Sequence, residues 1–158
     1  MTPQTPVKPA QSPKTILEGA ALDVLKTAPE MHFGSGVICN FPPLMDEQES
    51  LYCGIWSDDS APTPTILGWA SVHQIINSEV ASRWMKNEAT RLPPGSVVVP
   101  YDLGVPAYLS TVQSLPRVRM TFRVGITFGK GRFIVLVSGT SKVDVDRVAR
   151  AVLRQISN

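Results

Sequence analysis

His32, His73, Cys39 and Cys53 are the only imidazole and thiol groups in this 158-residue chain. A nucleophilic Ser or Cys needs a base beside it, and two histidines leave few ways to assemble that pair. Each histidine reads as an ordinary, partly exposed side chain. Together with the cysteines they would just complete a tetrahedral zinc set, but their spacing matches neither C-x₂₋₄-C nor H-x₃₋₅-H, so no metal is expected. Gly125-Ile-Thr-Phe-Gly-Lys-Gly131 has three residues between its first two glycines where a phosphate loop has four, and Gly131 stands where a magnesium-binding Ser or Thr belongs. Gly34-Ser35-Gly36 lacks the G-x-S-x-G frame of a nucleophile elbow, and no G-x-G-x-x-G occurs. Asp58 and Asp59 sit in a Pro- and Ser-rich loop as solvated charge. Asp144 and Asp146 open the last helix, where they offset the partial positive charge of its terminus. An enzyme using Asp58 or Asp102 with His73 is the least supported reading, and no cofactor is implied. What remains is amphipathic aromatic surface. Tyr52, Trp56, Trp69, Tyr101 and Tyr108 are the candidate contacts to a ligand or partner, with core and rim packing as the alternative use of any one of them.

The elements that must position these residues follow from periodicity. From Val118 to Phe128 apolar residues alternate with Arg119, Thr121, Arg123, Gly125 and Thr127, which predicts a strand with one buried face. Gly129-Lys130-Gly131 supplies a hairpin turn, and Phe133-Ile-Val-Leu-Val137 is apolar on both faces, as a mid-sheet strand under a covering layer would be. Ser141 and Asp144 resemble a capping box for a closing helix with Val145, Val148, Ala149, Val152, Leu153 and Ile156 on one stripe. Thr15 and Glu18 form a T-x-x-E box for a first helix, whose apolar face is Ile16, Leu17, Ala20, Ala21, Val24 and Leu25 and which ends before Pro29. Between them, Gly36–Phe41 and Leu51–Trp56 predict a hairpin around a long acidic loop. Thr65–His73 predicts a strand. Asn77 or Ser78 caps a second helix with Val80, Ala81, Trp84, Met85 and Ala89 inward, closed by Leu92-Pro-Pro-Gly95. Ser96–Pro100 and Pro106–Val112 are further short strands. The fold class is α+β: a mostly antiparallel twisted sheet flanked by helices.

Each arm of the first hairpin carries one cysteine. If they face each other, a Cys39–Cys53 disulfide closes a loop of about 15 residues, contributing roughly 3 kcal/mol on the chain-entropy account. Two buried, unlinked thiols are the alternative that a reducing compartment would maintain.

A hydrophobic content of 43% over this length fills one core, so residues 15–158 are expected to form a single domain. Residues 1–14, with Pro3, Pro6, Pro9 and Pro13 among polar residues, are expected to be a disordered tether. No run approaches 18 consecutive apolar residues, and the first residues lack the basic segment and apolar core of a signal peptide. Residues 1–91 hold 6 basic and 10 acidic groups and residues 92–158 hold 9 and 3, so a net charge of +2 conceals an acidic and a basic half. No Lys/Arg cluster or aromatic interleaving accompanies the basic half, and no nucleic-acid partner is expected.

The Cys53-x-x-Trp56 arm, the stretch Val99-Pro-Tyr-Asp-Leu-Gly-Val-Pro-Ala-Tyr108 and the closing Gly131–Gly139 strand with its helix resemble small extracytoplasmic domains of actinobacterial lipoproteins, related to the PsbP-like α/β/α sandwich. That resemblance implies a non-enzymatic domain of the cell envelope, binding an apolar small molecule, a glycan or another protein. Tethering to a membrane through a segment upstream of Met1 is a further expectation. The alternative is a cytosolic, chaperone-like adaptor or assembly factor whose Pro-rich arm and basic half dock a partner.

Overall fold

The computed structural model describes residues 11–37, 39, 41–60, 62–92, 96–112 and 122–157. Seven strands, β1 (Gly34–Val37), β2 (Gln48–Asp58), β3 (Thr65–Ile75), β4 (Ser96–Pro100), β5 (Ala107–Val112), β6 (Val124–Lys130) and β7 (Phe133–Gly139), form one sheet in the order β1-β2-β3-β7-β6-β5-β4. Every pairing is antiparallel. The fold is α+β, and β7 lies at its centre, where a strand apolar on both faces belongs.

Helices α1 (Pro13–Thr27) and α3 (Lys142–Gln155) cover one face, burying Ile16, Leu17, Ala20 and Val24 from α1 and Val145, Val148, Ala149 and Val152 from α3. The other face carries α2 (Ser78–Asn87), whose Ala81, Trp84 and Met85 pack with Ile75 and Ile134. The two covers are unequal. Ten residues of α2 span about 15 Å, whereas seven strands spread over about 29 Å, so among the described residues one short helix leaves part of its face bare.

Several local expectations move by a few residues. The cap of α1 is Ser12, whose Oγ accepts from Thr15 N at 3.2 Å while Thr15 Oγ1 accepts from Ser12 N at 3.1 Å, so the box is Ser12/Thr15 and not Thr15/Glu18. Gln11 also belongs to the folded part, bonded to Gln155 O and Ser157 N; residues 1–10 of the expected tether lie outside the described residues. Leu25 is 59% exposed, because at about 100° per residue it lies on the opposite side of α1 from Ile16. The β6–β7 turn is Gly131-Arg132, with Gly131 at φ +59°, two residues later than expected. Phe122 and Arg123 precede β6 and are not part of it, and Val118–Thr121 lie outside the described residues. Ile126, Thr127, Phe128 and Gly129 are buried in succession, so β6 is covered on both faces and not on the single face its alternation suggested. Asn77 caps α2, its Oδ1 accepting from Val80 N at 2.9 Å. Cys39 and Cys53 form a disulfide with their Cα atoms 5.8 Å apart.

On the α1/α3 face, Trp56 of β2 pairs with Gly68 of β3, which pairs with Gly139 of β7. The Trp56 indole lies across both glycines: a Cβ on Gly68 would meet it at 2.0 Å and one on Gly139 at 2.6 Å. Its Nε1 finds no acceptor, so packing alone seats the ring. A Gly68→Ala substitution is expected to cost about 2–3 kcal/mol in urea unfolding, the upper range for overpacking. Gly34→Ala, whose Cβ would meet nothing within 4 Å, should stay within about 0.5 kcal/mol of the parent.

Candidate functional site

The bare part of the α2 face contains the candidate site. Register aligns Ile55, Trp69, Ser138, Gly125, Ser110 and Val98 in a single row across β2, β3, β7, β6, β5 and β4. Residues directly opposite on neighbouring strands share a face, so the row is bulky at its ends and small in its middle. The small middle is tight at backbone level: Ser110 Oγ donates to Gly125 O at 3.3 Å, and a Cβ on Gly125 would lie 2.7 Å from that oxygen. Above it a hollow of about 190 Å³ opens, walled by Trp69, Leu136, Val112, Leu92 and Phe122. Exposed Arg123 also lines it, and among the described residues no Asp or Glu does. Apolar walls over a small-residue floor suit a compact apolar group.

The disulfide helps to set one wall. Cys53 lies within β2, and its bond to Cys39 ties down the chain two residues before Phe41. Phe41 packs on Trp69 with ring centroids 4.9 Å apart, which buttresses the indole beside the hollow.

The five aromatic residues singled out from sequence do not share a surface. Trp56 is fully buried and touches no solvent, so it cannot serve as a ligand or partner contact in this fold. Tyr52 is half-buried on the α1/α3 side, packed against that core, with its hydroxyl near Gly36. Tyr101 follows β4 and donates its hydroxyl to Asp146 Oδ1, while Lys142 Nζ lies 5.9 Å over its ring. That hydrogen bond raises the Tyr101 pKa. Burial pushes the Asp146 carboxyl up, but hydrogen bonds from Tyr101 and Arg150 outweigh it and hold the group below its ordinary range. The cluster fastens the chain after β4 to α3. Only Trp69 and Tyr108 face the α2 side. Trp69 lines the apolar hollow, and Tyr108 lines a second, wider one of about 500 Å³ that also contains Glu79, Lys86 and Lys130. Ser110, Gly125, Ser138 and Arg123 carried no sequence signal of a site, because only register brings them together.

The titratable groups are engaged separately. Asp58 Oδ1 accepts from Ser60 N at 3.0 Å, and these Ser60 contacts lower its pKa; Asp59 lies 3.4 Å from His32 Nδ1. His73 is 1% exposed and bonded to Ser71 and Gln48, not to Asp58 or Asp102. Gln48 Oε1 already accepts from Leu44 N, so His73 Nδ1–H donates to that same oxygen at 2.8 Å, and Nε2 accepts from Ser71 Oγ–H at 2.8 Å. A Ser–His pair of this geometry resembles a nucleophile and its base, but Ser71 is 0% exposed and neither residue is among the described residues that line the four best-formed hollows. Its role here is to lock the acidic loop onto β2 and β3. Among the described residues no group of three His, Cys, Asp or Glu could hold a metal ion, and no helix is long and apolar enough to cross a membrane.

Burial lowers the His73 pKa to about 4, from an ordinary 6.5. Above pH 6.5 both folded and unfolded chains keep this imidazole neutral. As pH falls from 6.5 towards 4 the unfolded chain takes up a proton that the folded one resists, and stability drops by about 3 kcal/mol. Urea unfolding over that range should show the loss in the parent and not in His73→Gln; equal pH slopes in the two proteins would contradict the assignment. No protein-family model matches this chain, and neither does any curated protein or solved structure.

Proposed function

We propose that this chain is a non-enzymatic binding module that works outside the cytoplasm, holding an apolar small molecule against the bare part of its α2 face. The hollow over Ser138, Gly125 and Ser110 is the observation that carries the reading: a mid-sheet depression lined almost wholly by apolar atoms. The α1/α3 face contains the same device in filled form, where Trp56 occupies the space above Gly68 and Gly139. The Cys39–Cys53 bond supports an oxidising compartment, since a reducing one would open it. The resemblance to envelope domains of the PsbP-like type is in keeping with that placement and is proposed on the same footing.

Ser138→Leu places an isobutyl group in the hollow from the middle strand. Toluene, a single neutral ring, is expected to bind the parent in titration calorimetry and to lose at least tenfold in affinity with this variant, while Leu22→Ser on α1 leaves binding unchanged. Equal binding by parent and Ser138→Leu proteins would sink the reading.

A further inference from the structure

Apolar side chains and the hydroxyl residues Ser110, Thr127 and Ser138 line the hollow, and among the described residues that line it one carries a charge. Arg123, immediately before β6, is exposed and contributes to its lining, and its guanidinium has no ion-pair partner among the described residues. Other cations of the basic half are engaged: Arg147 with Asp144, Arg150 with Asp146, Arg154 with Asp23, Arg132 with Glu49, and Lys130 with Ile156 O. An uncompensated cation beside a cavity without carboxylates gives the site a positive margin, and a guanidinium presents the paired donors that a carboxylate accepts. The volume of about 190 Å³ is below what a drug-sized ligand fills, which limits the apolar part to a short chain or a single ring.

We propose that the hollow takes a short apolar chain ending in a carboxylate, the chain lying over Ser138, Gly125 and Ser110 and the carboxylate paired with Arg123. This inference rests on the reading of the hollow as a binding site and adds the charge and size of what enters it. The apolar walls supply affinity without regard to the end group. Arg123 supplies the choice between end groups, because an ammonium would be repelled and a hydroxyl would gain only a neutral hydrogen bond.

Octanoate, octanol and octylammonium share one chain length and differ only at the end. Competition against toluene, followed in parallel by Trp69 emission with Trp69→Phe as the control, is expected to rank them octanoate, octanol, octylammonium. Octanoate should lead octanol by about fivefold at low salt, as one partly exposed ion pair allows. In Arg123→Gln that ratio should fall to about one, and added salt should compress it in the parent. Octanol binding as well as octanoate, or a preference that survives Arg123→Gln, overturns the carboxylate assignment and leaves the apolar hollow standing. Failure of all three compounds and of toluene overturns both.

Discussion

Antiparallel register through β3, β7, β6 and β5 is the constraint on which the rest of this molecule depends. It decides which residues become neighbours across strands, and here it sets small ones side by side on both faces. On one face Gly68 and Gly139 accept the Trp56 ring, whose burial closes the core beneath α1 and α3. On the other, Ser138, Gly125 and Ser110 leave a depression that no large side chain of their row can fill, because Trp69 and Val98 stand at its flanks. A slip of one residue in β7 would exchange Ser138 for Val137 and remove both features together.

The covering helices then divide the labour. Two helices of similar length cover one face over β2, β3, β7 and β6, and leave Val97 and Val99 of β4 exposed at its edge. The other face has a single short helix, supplemented by the loop that Gln48, His73 and the disulfide hold in place. Gly129 lets α2 approach the sheet, its missing Cβ leaving 2.7 Å to Met85 Cγ. Among the described residues α2 therefore packs on the Gly129 end of β6 and stops short of its Gly125 end, where the hollow opens. Charge follows the same division, since the ion pairs of α3 neutralise its arginines within the α1/α3 layer while Arg123, beside the hollow, has no ion-pair partner among the described residues.

Much of the architecture was legible in the sequence because helix stripes and the β7 run are local patterns. Ile16 to Val24, Ala81 to Met85 and Val145 to Val152 all turn inward as their spacing demands, and the two cysteines meet as their hairpin allows. The start of β6 was hidden by alternation that continues upstream through Phe122 and Arg123, which precede the strand although Arg123 O still accepts from Val112 N of β5 at 2.9 Å. The candidate site was largely illegible. Of the aromatic residues, Trp56 serves the core and Tyr52 and Tyr101 pack away from the hollow, while Trp69 lines it and Tyr108 lies on a different one. Ser110, Gly125 and Ser138 look like ordinary polar positions of three separate strands until their pairing is known. A non-local property of this kind has no periodicity to betray it.

The central claim is that the row of small residues on the α2 face is open and receives apolar matter. Amide chemical-shift mapping of the isotopically labelled protein, titrated with a neutral apolar compound such as octanol, tests it most directly. The account predicts that the largest changes fall on Ser110, Gly125 and Ser138 and on the Trp69 indole N–H, with the Trp56 indole unmoved. Changes centred instead on Leu22, Leu25 and Phe33 at the far layer, or none at saturating compound, would contradict it.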